Sequence, residues 1–418
     1  MKSNMSMSCL CNIESSPMLY FEGYNFIQNR CKRYGTNIFS TRLLGQKVIC
    51  ISGKEAAKVF YNENLFYRKG ATPKFVQKTL FGQYGVQGMD GMPHKLRKNM
   101  FMSIMSMENL KKLDKITKKE WKRYIRTWER KEKVVLSEEA AEIMCKIACE
   151  WAGIPLPKSQ VKQRAKDLSQ LVDAFGSLGI RHVQGRCARL KTEKWIQDII
   201  DRIRTYHIVP PKGSAADIIV RHKNTKGELL STQIAAVELI NIIRPIVAIK
   251  TYITFEALAM DQNPLCKAKL KNDDEYVEMF VQEVRRFYPF APFVGAKVKK
   301  RFMWKDCVFP KDTLVLLDIY GINHDPSIWH QPYKFNPEHF RDWDNNPYTF
   351  IPQGGGEANN GHRCAGEMVT IHVMKESLRY LNNISYRVPP QDLRYSLRRM
   401  PTLPRSGFII KKVRIKNT

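Results

Sequence analysis

The most apolar stretch of the chain, ELINIIRPIVAIKTYITFEALAM from Glu238 to Met260, constrains the fold more than any other segment. Its spacing predicts a helix that is apolar on nearly every side, and such a helix must be buried in a protein core or in a membrane. Arg244, Pro245 and Lys250 interrupt it, which makes it a poor membrane span. A compact core is the remaining place for it. A guanidinium buried there needs an anion, yet Ile240, Asn241, Val247 and Ala248, within one turn of Arg244, offer no carboxylate. The partner of Arg244 must come from elsewhere, from a distant acid or from a ligand.

Around this segment the chain reads as mainly helix with a small sheet portion. Short apolar pieces up to Gly53, such as RLLGQKVICISG, read as strands. Helical periodicity dominates from Lys54 to about Leu270, with a loop at VPPKGSA, and continues through DEYVEMFVQEVRRFYP until its proline. Strand-like pieces within Val308 to Gly321, a proline-punctuated meander and a last long helix from about Ala365 follow. At about 150 residues per domain, 418 residues suggest two or three domains, though one large catalytic domain reaches the same size.

Sixty-nine Lys and Arg against 40 Asp and Glu give a net charge of +29. Much of it lies in LKKLDKITKKEWKRYIRTWERKEK, from Leu110 to Lys133, where cations alternate with Leu, Ile and Trp at helical spacing. The pattern fits a solvated amphipathic helix first, and docking on an acidic protein or a phospholipid surface second. No nucleic-acid-binding motif accompanies it, so nucleic acid is not an expected partner. The N-terminus lacks an apolar signal-peptide core, and residues 1–20 are expected to be a flexible extension. Ten cysteines without a C-x-x-C pair predict reduced thiols in a cytoplasmic protein.

FIPQGGGEANNGHRCAGE, Phe350 to Glu367, carries the chemistry. Its glycines are followed by neither a P-loop Lys-Ser/Thr nor a dinucleotide fingerprint. His362 and Cys364 lack a second ligand pair at zinc spacing. An axial thiolate for haem is the third reading: Cys364 stands among backbone N–H groups ahead of a helix N-terminus, which favour its anion, and glycines let the backbone lie under a flat macrocycle.

The order of motifs adds to this. EVRR places Glu283 and Arg286 three apart on one helix face, FNPEHF follows at Phe335 to Phe340, and the cysteine loop comes last. This Glu-x-x-Arg, Phe-x-Pro-x-x-Phe, Phe-loop-Cys-x-Gly series resembles the cytochrome P-450 superfamily. The long form of the loop, with LFGQYGVQGMDG, ELINIIRPIVAI, FVQEVRRFYPF and DIYGINHDPSIW, is similar to its bacterial fatty-acid peroxygenase branch, over about Glu22 to Phe408. Two positions depart from the family pattern: His339 stands where Arg is common, giving the Glu-Arg network a weaker partner, and Ala365 follows the cysteine where Pro is common.

The resemblance implies one haem-thiolate catalytic domain over 1–418, with haem b (iron protoporphyrin IX) between a distal central helix and the proximal Cys364 loop. It implies hydroxylation of long-chain fatty acids at the α or β carbon with hydrogen peroxide as co-substrate. No obligatory redox partner, no transmembrane segment and at most a weak contact with anionic membranes are expected. Arg244, beside Pro245, would hold the substrate carboxylate, which would carry a proton between the two peroxide oxygens. Gln87 would stand near the active oxygen, where it favours hydroxylation over the decarboxylation associated with His. Phe81, Val172, Phe175 and Phe290 would line the acyl channel. His94 and Lys98, at i and i+4, with His362 would meet the haem propionates, Arg97 being a rival for Lys98.

Overall fold

Glu238–Met260 is helical, and other helices pack against it on most sides. It falls in two consecutive helices, Thr232–Ala248 and Lys250–Gln262, meeting at Ile249. Ser231 starts the first by accepting the Ile234 N–H on its hydroxyl at 3.3 Å. Pro245 lies inside it and offers no N–H to the carbonyl of Asn241. Leu239, Ile240, Ile243 and Val247 are completely buried, and helices Leu136–Ala152, Val161–Asp173 and Ile180–Arg204 pack against this one. Among the described residues Thr232–Gln262 is long and apolar enough to cross a bilayer, but 78% of its most apolar window is buried inside the protein, so it is a core helix here. The structure, a computed structural model, describes residues 13–271 and 273–416.

The cationic run forms the helix Met107–Trp128. Leu110, Leu113, Trp121, Ile125 and Trp128 recur on one side and are buried. Its lysines face solvent, where Lys112 pairs with Glu108 at 2.7 Å. The run is therefore a solvated amphipathic face.

Three small sheets complete the fold. β1 (Ile38–Leu43), β2 (Gln46–Ile51), β3 (Phe66–Tyr67), β5 (Phe293–Val298) and β8 (Leu314–Asp318) form a sheet ordered β1-β2-β8-β5-β3. β2 and β8 are parallel, with Val48 opposite Leu314 and Ile51 opposite Leu317. β4 (Lys133–Val135), β9 (Ile384–Arg387) and β10 (Ile409–Ile415) form a second, and β6 (Phe302–Trp304) with β7 (Cys307–Phe309) a hairpin.

Two expectations need correction. The segment before Gly53 is not all strand: helices Ser16–Glu22 and Phe26–Tyr34 precede β1. Phe26, Ile27 and Arg30 are buried on one helical side, a pattern too short to stand out in the sequence. The proposed flexible extension is also too long. Residues 1–12 lie outside the described residues, but Arg42 of β1 accepts the Ser15 N–H at 2.8 Å and donates its own N–H to Ile13 O at 3.0 Å, so the chain is folded from Ile13. None of the eight described cysteines forms a disulfide with another described residue.

Candidate active site

Cys364 sits at the turn from the glycine loop into helix Glu367–Asn382. Its N–H donates to Gln353 O at 3.1 Å, and the Gln353 amide approaches its Sγ at 3.7 Å while donating to Thr370 at 3.0 Å. The loop needs glycine where it turns sharply: a Cβ on Gly355 would lie 2.5 Å from the Pro347 carbonyl, and Gly354 has φ +91°. Behind it, fully buried Arg285 bonds the Gln353 amide oxygen at 2.9 Å and pairs with Glu367. Burial pushes the Cys364 thiol up and Glu367 adds to this, against the Gly366 N–H, the Lys98 ammonium and Gln353. The loop donors do favour the anion as expected, but desolvation outweighs them. A bound cation is what would hold the thiolate.

His94, Lys98 and His362 do come together. All three are at least largely buried, and the rings of His94 and His362 stack at 4.0 Å between centroids. The Lys98 ammonium donates to the Arg363 carbonyl, beside Cys364. Burial and Lys98 bring His94 down to about 4, and burial with Arg68 brings His362 down to about 2, so at neutral pH both are uncharged. The positive charge comes from Lys98 and from Arg68, which the sequence reading missed. Buried Arg68 lies over the Phe60 ring at 4.5 Å and its guanidinium acts on His94 and His362. Arg97 is no rival for Lys98, since it pairs with fully buried Glu238.

Glu238 organises the other wall. Besides Arg97 it accepts the Val86 N–H at 3.0 Å and the Asn241 amide at 3.1 Å. It thereby pins the Val86–Gly88 turn, which carries Gln87, against the central helix. Gln87 accepts from Asn241 at 3.3 Å. That turn is reached through Gly82, where a Cβ would lie 2.1 Å from an Arg189 nitrogen. Arg244, 7% exposed, touches Asn241 Oδ1 at 3.4 Å and lies over the Phe81 ring at 5.6 Å. It pairs with no carboxylate among the described residues, and its Nε has no partner. Burial, then repulsion by Arg189, lowers its guanidinium to about 9, and Cys364 across the site offsets this only in part. Pro245 is half-buried beside it.

The four residues expected to line an acyl channel also converge. Phe81, Val172, Phe175 and Phe290 share one apolar cluster with Leu80 and with Ala248, one turn beyond Arg244. The Phe290 ring stacks on Tyr252 at 5.0 Å.

The Glu283 network is complete despite His339. Arg286 grips Glu283 with two N–H bonds of 2.7 and 2.8 Å, the Asn336 N–H adds 2.8 Å, and His339 Nδ1 lies 3.2 Å away. Among the described residues no group of three or more His, Cys, Asp or Glu could hold a metal ion.

A single cysteine on a glycine loop, cationic and imidazole donors to one side, and a central helix opposite carrying an unpaired cation fit a flat iron macrocycle with two carboxylates. The orphaned Arg244 Nε and the glycine-dependent loop are the features that fit. This defines a haem-thiolate enzyme. A profile of the cytochrome P-450 family matches residues 259–399. The structure of cytochrome P450EX alpha (CYP152N1) with myristic acid superposes with a TM-score of 0.94 at 43% identity, covering 97% of this chain and 99% of that one. Cytochrome P-450 OleT in complex with arachidonic acid gives 0.95 at 33% identity over 98% and 99%. Cytochrome P-450 3A29 of Sus scrofa is 34% identical over 117 residues, 27% of this chain but only 22% of that protein's length. The chain belongs to the cytochrome P-450 family.

Proposed function

We propose that this protein is a peroxygenase that hydroxylates long-chain fatty acids at the α or β carbon, drawing its oxidant from hydrogen peroxide. The observation that carries the reading is Arg244: a buried guanidinium without a protein carboxylate, at the inner end of an apolar cluster. Only an anionic ligand supplies the missing charge, and a fatty acid brings both the carboxylate and the apolar chain that the cluster would bury. The relatives with myristic and arachidonic acid support the same substrate class.

Haem, held by Cys364 with Arg68, Lys98, His94 and His362 at its periphery, would supply the oxidising power, which a thiolate ligand favours by donating electron density. The chain's own residues do the rest. Arg244 binds the substrate carboxylate in bidentate fashion and fixes it in the distal wall. Asn241, held by Glu238, keeps the guanidinium turned inward. The bound carboxylate then takes a proton from one peroxide oxygen and returns it to the other, an acid–base step for which the distal helix offers no free acid of its own. The Phe81, Val172, Phe175 and Phe290 cluster holds the tail, so the carbons next to the carboxylate are the ones presented. Gln87, tied to Asn241, is neutral and takes no proton, which favours hydroxylation over decarboxylation.

Purified holoprotein with palmitate and hydrogen peroxide, without any reductase, should yield 2- or 3-hydroxypalmitate by mass spectrometry. Turnover only with NAD(P)H and redox proteins would replace this reading with an oxygen-dependent one. Haem binding without turnover in either system would make the chain a non-catalytic haem protein.

A further inference from the structure

One face of the molecule combines exposed apolar side chains with unpaired cations, and the fold joins its parts. Leu178, Ile180 and Val183 are 69%, 76% and 60% exposed in and after the turn that links helices Val161–Asp173 and Ile180–Arg204. Tyr20 and Phe21, on helix Ser16–Glu22, are 60% and 61% exposed, and Leu44, at the β1-β2 tip, 68%. The Leu44 N–H donates to the Ser16 hydroxyl at 2.8 Å, fixing that tip to the start of the helix. Past the end of the helix, the Tyr24 N–H donates to Leu397 O at 2.9 Å. The Leu397–Met400 segment then reaches the other part: Arg399 pairs with Asp173 at 2.5 Å, and Met400 packs over Gly176.

The acids on this face are already used. Glu14 accepts from Ser16 and Gly45, Glu22 pairs with Arg30 at 3.0 Å, and Asp173 is shared by Arg399 and Arg181. Arg42, Lys47, Lys74, Lys78 and Arg398 are exposed and in no ion pair among the described residues. Their positions follow the same band: Arg42 and Lys47 flank Leu44, Arg398 adjoins Arg399, and Lys78 lies next to Arg186, which bonds its carbonyl.

We infer that this face docks on the surface of an anionic phospholipid bilayer, its apolar side chains entering the headgroup boundary and its cations meeting the lipid phosphates. Apolar groups rimmed by Lys and Arg have this affinity because area burial and charge attraction add. Charge complementarity selects the occupant: a second copy would set the same cations against each other on a chain of net charge +29, whereas an anionic bilayer neutralises them. Phe175 belongs to the acyl cluster and also packs on the Tyr24 and Met400 cluster beneath this face. A fatty acid leaving the bilayer would therefore have a short apolar route to Arg244, a corollary that rests on the proposed substrate, while the docking does not.

The test is flotation of holoprotein with vesicles of phosphatidylcholine mixed with phosphatidylglycerol, compared with phosphatidylcholine alone. Binding to the mixed vesicles only, weakening as salt rises, is expected. Leu178→Asp with Ile180→Asp should lower the bound fraction by about tenfold or more while haem absorbance stays as in the parent. Lys47→Glu with Arg398→Glu, which leaves the apolar groups intact, should weaken binding as well. Absence of binding by the parent, equal binding to uncharged vesicles, or undiminished binding by both variants would overturn the inference. So would a dimer by light scattering that the Leu178 and Ile180 changes convert to monomer, since the face would then be a self-association surface. No peroxide enters the assay, so its failure is distinct from failure of the proposed reaction.

Discussion

Asn241 turns its amide oxygen toward Arg244, 3.4 Å from Nη2, because its amide nitrogen is claimed by Glu238 at 3.1 Å and Gln87 at 3.3 Å. The cation in the distal wall is thus aimed by a neutral group and neutralised by none, which leaves its charge for a ligand.

Replacing Arg244 with Met, which keeps much of its length but removes the charge, should lower kcat/KM for palmitate oxidation by peroxide about 10³-fold, in the range for losing a positioned proton carrier. Arg244→Lys should recover only part of this, because an ammonium cannot grip a carboxylate with two parallel bonds. Steady-state kinetics with both variants decide it. An alkane without a carboxylate should be a poor substrate of the parent, and Arg244→Met should leave its slow oxidation unchanged.

Glu238→Gln keeps the shape but leaves Arg97 as a buried cation without a counter-charge. The expected cost is about 3–5 kcal/mol, the usual result of removing one member of a buried pair. A thermal melt of the holoprotein should show it as a lower midpoint. Since the same carboxylate orients Asn241 and holds the Gln87 turn, KM for the fatty acid should rise too, which a purely structural role elsewhere would not require.

Much of this site was legible because its chemistry sits in compact sequence signals. The Cys364 loop, the Glu283–Arg286 pair and the conflict of Arg244 with its apolar helix each announce themselves within a few residues. His94, Lys98 and His362 were recoverable from the i, i+4 spacing with help from the resemblance. Arg68 was not, because a single Arg beside a two-residue strand has no local pattern, and only the packing of β3 brings it near His362. Glu238 has no local signal for a similar reason. It lies six residues from Arg244, outside one helical turn, and its partners Val86 and Arg97 are far away in sequence. The C-terminal strands β9 and β10 have no compact signal because each depends on pairing with a distant segment, and the Lys411, Lys412 and Arg414 of β10 read as surface.

His339 was expected to weaken the Glu283 network, yet Arg286 and the Asn336 N–H already satisfy most of that carboxylate. His339 bridges Glu283 at 3.2 Å and the His330 carbonyl at 2.6 Å. His339→Ala should therefore cost only about 1–2 kcal/mol, close to one charge-assisted hydrogen bond. His339→Arg should be tolerated with haem content retained. Urea titration of the two variants, followed by haem absorbance, is the measurement.

Glu256 has no part in the proposed reaction and should work against stability at neutral pH. It is completely buried in helix Lys250–Gln262, neither carboxylate oxygen has a hydrogen-bond partner among the described residues, and burial alone pushes its acid well above the usual range. The native state keeps the proton, while the unfolded chain releases it above a pH of about 4.3. Stability tied to this group is therefore complete below that pH and falls as pH rises toward the native value. Glu256→Gln, nearly the same shape and never charged, removes the slope. Its melting midpoint should match the parent near pH 4 and exceed it near pH 8 by the equivalent of about 1–3 kcal/mol, the range for a buried polar group left unmade. A gap that stays constant across that range would mean that Glu256 titrates alike in the folded and unfolded chain, and that the cavity around it supplies partners which stabilise its charge.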